Sequence, residues 1–220
     1  MIIELITSYF NEEFLSPLFM LHYSHWIDRV TFITQKRDDH KFDDEDKSNW
    51  INDAVRNSRA DWVVLVDMDE FIYPEPYGCN PRTVLERESG SVIYSHMTRM
   101  WRHHSDRNID RTMPPVPQRL HGIPDHVKPT VFRPHPSIQL GAGNHDIRGH
   151  QMDKVGQPWA GAHWANADPC FWIQRETRDR GPRLSERNIA RGHGIHTRRT
   201  EQQILEECRQ HENDPIIITL

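Results

Sequence analysis

Cysteine is scarce in this chain: Cys79, Cys170 and Cys208 are odd in number and far apart. That usage excludes a disulfide framework and a cysteine-based zinc site, and it fits a reducing, cytoplasmic setting. Long apolar runs are missing too. The unbroken run at residues 62–66 is far shorter than the roughly eighteen residues that a membrane-crossing helix needs. The opening Met-Ile-Ile-Glu has no basic stretch ahead of an apolar one, so neither a signal peptide nor a membrane partner is expected. Hydrophobic residues make up only 36% against 27% charged, which is low for a compact enzyme but outside the disordered class. A chain of 220 residues is long enough for one domain with a substantial core.

What the chain does have is charge, unevenly placed. Residues 1–90 carry 9 Lys/Arg against 18 Asp/Glu, whereas residues 91–220 carry 18 against 14, with twelve of the fifteen histidines. Such a split suits an anionic donor, an anionic acceptor or neither. The acidic half holds the most informative stretch, Asp61-Trp-Val-Val-Leu-Val-Asp-Met-Asp-Glu-Phe-Ile-Tyr73. Its apolar run is rich in β-branched residues and lacks alternation, which predicts a strand buried on both faces. Three carboxylates, Asp67, Asp69 and Glu70, follow at the strand's end, where burial is costly unless something pairs with them. Open α/β sheets bind ligands beyond the carboxyl ends of their strands. Hard divalent cations want oxygen ligands, and Asp67 and Asp69 can both turn toward one ion there.

Asp67-Met68-Asp69-Glu70-Phe71 after a buried strand resembles the Asp-x-Asp (DxD) signature of GT-A-type glycosyltransferases, in the family-2-like branch that reads Asp-x-Asp-Glu-Phe. The opening Ile6-Thr-Ser-Tyr-Phe-Asn-Glu-Glu-Phe14 is similar to that branch's first strand and nucleotide loop, and the resemblance covers about residues 1–100. It implies a single GT-A-like (Rossmann-like) α/β domain over residues 1–220, with a mostly parallel central sheet flanked by helices. Residues 1–96 would bind the nucleotide sugar, and residues 97–220 would complete the metal site and take the acceptor. It further implies that Thr7, Tyr9 and Glu12 frame the nucleoside and that Asp38, Asp39 or Gln35 pairs with the base. Asp67 would contact the ribose, the metal or both, and Asp69 would bind the metal directly. A histidine after a glycine-bearing hairpin would be the third metal ligand: His145 in Gly141-Ala-Gly-Asn-His-Asp146, or His163 in Trp159-Ala-Gly-Ala-His-Trp164.

Periodicity and caps place the rest. A strand at 2–8, a helix capped by Ser16-Pro17 through about Trp26 and a strand at 30–34 form a βαβ unit. Residues 35–46 read as a polar, acidic loop, and a helix at 47–58 carries Trp50, Ile51, Ala54 and Val55 inward. Asn80-Pro81 and Asp168-Pro169 open helices, Thr200 and Gln203 form a capping box, and residues 91–96 read as a strand. Residues 97–136 read as irregular, with seven prolines from Pro114 onward; Arg99, Arg102, Arg107 and Arg111 there could form a phosphate track. Trp101 could stack on a sugar or base, although anchoring the loop to the core is the stronger reading, and a strand pair is expected at 130–133 and 137–140. Glycine mixed with Arg191, His193 and His196 could fold over a diphosphate.

The expected activity is metal-dependent transfer of a hexosyl or pentosyl group from a nucleotide sugar, UDP-linked, to a hydroxyl acceptor, with Mn²⁺ or Mg²⁺ offsetting the leaving charge. Asp146 or Glu70 would deprotonate the acceptor. A saccharide or small molecule is the default acceptor; a hydroxylated base in nucleic acid is the alternative. A nucleotidyltransferase would share paired carboxylates but wants a glycine-rich basic loop after the first strand, unlike Ser8 to Glu13. A non-catalytic nucleotide-sugar-binding module would keep the sheet and lose the carboxylates.

Overall fold

The computed structural model describes residues 1–34, 41–149, 152, 154–179, 181–192 and 198–212. β1 (Ile3–Tyr9), α1 (Ser16–Tyr23) and β2 (Arg29–Thr34) form the first unit, and α2 (Asp44–Asn57) leads into β3 (Trp62–Leu65) and then β4 (Glu70–Tyr73). After these come α3 (Pro81–Arg87), β5 (Val92–Trp101), β6 (Gly122–Phe132), the short β7 (Gln139–Leu140) and β8 (Ile147–Arg148), and β9 (Trp159–Asn166). Helices α4 (Pro169–Gln174), α5 (Glu186–Ala190) and α6 (Glu201–His211) complete the described chain. Among the described residues, seven strands share one sheet in the order β2-β1-β3-β6-β5-β9-β4. β1, β2, β3, β5 and β9 run one way, and only β6 and β4 oppose them. This is a single α/β domain with a mostly parallel sheet, as the alternation of elements predicts.

The apolar run of β3 has no alternation because both faces of the strand are covered. Trp62 and Val64 pack with Leu18 and Phe19 of α1, while Val63 and Leu65 pack with Ile51 and Val55 of α2. Each such fully buried aliphatic side chain contributes roughly 1.5–3 kcal/mol. Helix α2 begins earlier than its apolar stripe suggests. Asp43 caps it, accepting from Glu45 N at 3.0 Å and Asp46 N at 3.1 Å, and Asp44, Glu45 and Asp46 fill the first turn, where the helix dipole favours anions. The end of the stretch read as an acidic loop is therefore a helix start. The expected Ser16 cap is corrected as well: Leu15 holds that position without a side-chain bond, and α1 ends at Tyr23. The caps at Asn80 and Asp168 and the Thr200–Gln203 box are as expected.

The largest departure is β6. Residues 97–136 are not irregular throughout, and residues 130–133 do not pair with 137–140. Instead β5 runs on to Trp101 and β6 is one eleven-residue strand between β3 and β5. Two prolines disguise it. Pro129 lies opposite Tyr94 and Pro124 opposite Thr98, and both partners follow a shift in register. At a bulge a residue escapes the ladder, so a missing N–H does no harm there. Residues 139–140 pair with 147–148 in a separate small ribbon.

Only four residues separate β3 from β4, yet β4 is the far edge, with β6, β5 and β9 between them. In a flat sheet that displacement is about 19 Å, from four strand spacings. Five residue steps reach at most about 17 Å when straight, and these contain a turn, so the sheet has to curl back over the motif. Helix α1 covers the margin so formed. Tyr23 Oη donates to the Glu70 carbonyl at 2.8 Å and accepts from Ile72 N at 3.1 Å, and His22 Nε2 is 2.9 Å from the Ile72 carbonyl. No helix among the described residues is long and apolar enough to cross a membrane.

Candidate active site

Asp67 to Glu70 is a tight turn. Glu70 N donates to the Asp67 carbonyl at 3.0 Å, and Asp67 N donates to Glu70 Oε2 at 2.8 Å. The turn delivers all three motif carboxylates into one cavity of about 390 Å³ at the carboxyl end of β3. Basic side chains from four other elements meet them. Lys47 of α2 is 2.7 Å from Asp67, and the fully buried Lys128 of β6 is 2.6 Å from Glu70 and 3.8 Å from Asp67. Arg175, just after α4, donates to Asp69 Oδ2 at 2.5 Å, and His163 of β9 holds Nε2 3.5 Å from the same oxygen. Beside this cluster Asp125 accepts from Arg99 at 2.6 Å, and its Oδ2 lies 2.7 Å from His163 Nδ1 and 3.1 Å from His126 Nδ1.

These contacts set the protonation states. Burial alone would raise the Asp67 carboxyl, but Lys47 and Lys128 hold it well below the usual carboxylate range. Burial would also raise Glu70, and Lys128 with His126 holds it down. Asp125 follows the same pattern, held low by His126, His163 and Arg99. Burial would lower His163, yet Asp69 and Asp125 bring it up to about 9, so its ring is protonated at neutral pH. His145 differs: burial, His126 and Lys128 all push it down, leaving a neutral imidazole. Its ring is 4.6 Å from that of His126, and it lies over Gly143, whose φ is +69° and where a Cβ would come within 2.7 Å of the imidazole.

Past α4 the chain makes a single π-type turn, Arg175–Asp179, the kind of local widening of a helix found mostly at functional sites. It turns Arg175 and Glu176 to the cavity. Trp172 Nε1 donates to Glu176 Oε1, while Glu176 Oε2 is buried without a hydrogen-bond partner, and burial raises this carboxyl.

Of the residues singled out in the sequence, Asp67, Asp69, Glu70, His145 and His163 all line the cavity. Tyr9 lines an adjoining smaller cleft with Phe10, Phe42 and Trp50, which shares Phe42 and Lys47 with the large one. Thr7 is fully buried in β1, and Glu12 turns inward to accept from Phe10 N at 3.3 Å, so each supports the loop from behind. Asp146 stands outside the cavity, exposed and 3.0 Å from Arg148. Arg191 pairs with Glu45 at the end of α5 and is not among the cavity's lining residues. Trp101 is a core residue packed on Trp172 and His211. Gln35, Asp38, Asp39, His193 and His196 lie outside the described residues. Sequence reasoning missed Lys47, Asp125, His126, Lys128, Arg175 and Glu176. A signal was available for Asp125, His126 and Lys128 in their polar clustering, but Pro124 and Pro129 masked the strand that carries them.

No family model and no curated relative matches the chain. Among solved structures, S. aureus TarS 1-349 superimposes at a TM-score of 0.37 with 8% identity, over 80% of this chain and 63% of that one. A longer S. aureus TarS structure gives 0.36 and 10%, over 96% of this chain and 43% of that one. The chain thus spans less than two thirds of either structure, and at these scores the likeness bears on neither activity nor substrate.

Proposed function

We propose that this chain is a glycosyltransferase that moves a sugar from a nucleotide sugar, UDP-linked, to a hydroxyl of a saccharide or small-molecule acceptor. The observation that carries this reading is the motif turn, with Asp67, Asp69 and Glu70 gathered at the carboxyl end of β3 in one cavity beside an aromatic cleft. The cleft, with Tyr9, Phe10, Phe42 and Trp50, offers faces for a nucleoside. Around the cavity six carboxylates (Asp44, Asp67, Asp69, Glu70, Glu176, Glu207) already face five fixed cations (Lys47, Arg99, Lys128, Arg175, Arg199) and the protonated His163. A nucleoside diphosphate adds about two negative charges and a divalent cation the same positive charge, so the donor set fits Mn²⁺ or Mg²⁺ arriving together with the diphosphate. Asp67 and Asp69 would hold that cation, which when bound offsets charge on the leaving diphosphate. Lys47 and Arg175, 2.7 Å and 2.5 Å from those carboxylates, add fixed positive charge beside the same oxygens.

A base for the acceptor hydroxyl needs a carboxyl that is not held far below neutrality. Glu70 and Asp125 are held down by their cations, whereas burial raises Glu176 and leaves its Oε2 unpartnered. We assign the base to Glu176.

The test is a panel of nucleotide sugars with Mn²⁺, following donor hydrolysis and transfer to added sugars. Asp67→Asn should lower turnover about a hundredfold or more with a near-native melting temperature. Glu176→Gln should depress transfer more than hydrolysis. Asp69 is the poorer probe, because its loss strands buried Arg175 at a cost of about 3–5 kcal/mol. Absence of turnover with every donor sinks the reading, and full activity in EDTA removes the metal from it. Pyrophosphate release from nucleoside triphosphates would favour a nucleotidyltransferase instead.

A further inference from the structure

We propose that Asp125, His126 and His163 form a binding site for a nitrogen-preferring divalent ion, Zn²⁺ or Co²⁺ in class, separate from the Asp67–Asp69 pair. Among the described residues this is the one group of three or more His, Cys, Asp or Glu side chains whose donor atoms all lie within 4.8 Å of one another. Neither the motif carboxylates with His145 nor the motif carboxylates with His163 converge to that degree. An ion that binds its ligands at about 2.0–2.2 Å keeps them at most about 4.4 Å apart, close to what these three atoms already span.

The hydrogen bonds point the donors inward. Asp125 gives Oδ1 to Arg99 and keeps Oδ2 for both imidazoles, each of which reaches it through Nδ1. Those two Nδ1 protons occupy the place an ion would take, and ligation by imidazole releases them. The far nitrogens complete the arrangement. His163 Nε2 is 3.5 Å from Asp69 Oδ2, and His126 Nε2 is 3.8 Å from Glu70 Oε1, where it is buried without a hydrogen-bond partner. A metal-bound histidine commonly directs its second nitrogen at a carboxylate, which fixes the tautomer and strengthens the ligand. Both histidines are so placed, and their backing carboxylates belong to the motif. With two imidazoles and one carboxylate, the donor set favours borderline transition metals over Mg²⁺.

The experiment is a Co²⁺ titration of the full chain, without nucleotide, read by its visible ligand-field absorption and by displacement with Zn²⁺. Because no sugar donor is present, the result is independent of whether the chain is a transferase. One Co²⁺ per chain should bind, and His126→Ala and Asp125→Asn should each weaken affinity by at least about a hundredfold, since a direct ligand is lost and even an outer support of a metal site is worth about tenfold to a hundredfold. Asp67→Asn should leave affinity within about twofold. Should His126→Ala fail to fold, Asp125→Asn and the imidazole nitrogen couplings in the Cu²⁺ resonance spectrum of the unmodified chain decide the matter. Absence of a ligand-field band overturns the proposal. So does an unchanged Co²⁺ affinity in His126→Ala or Asp125→Asn, or a loss of affinity in Asp67→Asn as large as theirs.

Discussion

His22 is enclosed in the packed face of α1 with Nε2 2.9 Å from the Ile72 carbonyl, and burial lowers its titration to about 4. In the unfolded chain the same ring titrates near 6.5. The unfolded state therefore binds the extra proton first as pH falls, so stability is unaffected above about 6.5 and declines toward pH 4. The loss over that window amounts to roughly 3 kcal/mol. Urea midpoints of the native chain and of His22→Gln at about pH 7 and about pH 4 isolate this portion from other acid effects. An equal drop in both proteins would sink the assignment. The acids of the motif, likewise, were legible as chemistry but not as surroundings. Asp67, Asp69 and Glu70 advertise an unusual strand end, yet nothing in their spacing names Lys47, Lys128 or Arg175 as the groups that make burial tolerable, because those arrive from α2, β6 and the turn after α4.

Local rules placed most elements well where apolar period and caps agreed, as in β1, β3 and α6. They failed for β6, where proline chemistry argued against a strand and only the partner's bulges reconcile the two. They also undersized α2, because its acidic first turn looked like solvated loop. That turn has a further task. Asp43 accepts from Ser185 Oγ and from Arg187, Asn188 donates to Asp44, and Phe42 bridges to Leu184, so residues 184–188 are docked on the start of α2. Phe42 and Leu184 both line the cavity. Asp43→Ala should destabilise the chain by about 0.5–2 kcal/mol through the lost cap and should raise KM for the donor. Asp43→Asn keeps a capping oxygen and should cost less stability while still raising KM. Melting curves and donor kinetics on both variants check this; an unchanged KM would separate the docked segment from the site.

For the molecule as a whole, the acidic front and basic back largely meet each other. Asp67, Asp69 and Glu70 meet Lys128, Arg175 and His163, while Asp43, Glu45 and Asp46 meet Arg187 and Arg191. This pairing was invisible in a count of charges, which records composition but not which halves fold together. It also weakens the phosphate-track reading: Arg99 holds Asp125, Arg102 contacts Asn108, and Arg111 donates to the Glu13 carbonyl. Mobility shifts with single- and double-stranded RNA and DNA should therefore show no binding at low salt, and Arg102→Ala with Arg107→Ala should change nothing. A steep salt dependence that this double variant reduces by up to about two in slope would restore a nucleic-acid acceptor.

The cover that α1 places on β4 has a consequence for self-association. An uncovered outer strand is a template on which another chain can lay down a strand of its own, and that is a common route to aggregation and to swapped dimers. Tyr23 Oη, which serves one carbonyl and one amide of β4, occupies the bonding positions that an incoming strand would use. The motif margin is thus closed to templating by a side chain instead of by a neighbour, and recruitment of a foreign strand is directed to β2, at the opposite end of the sheet from the chemistry.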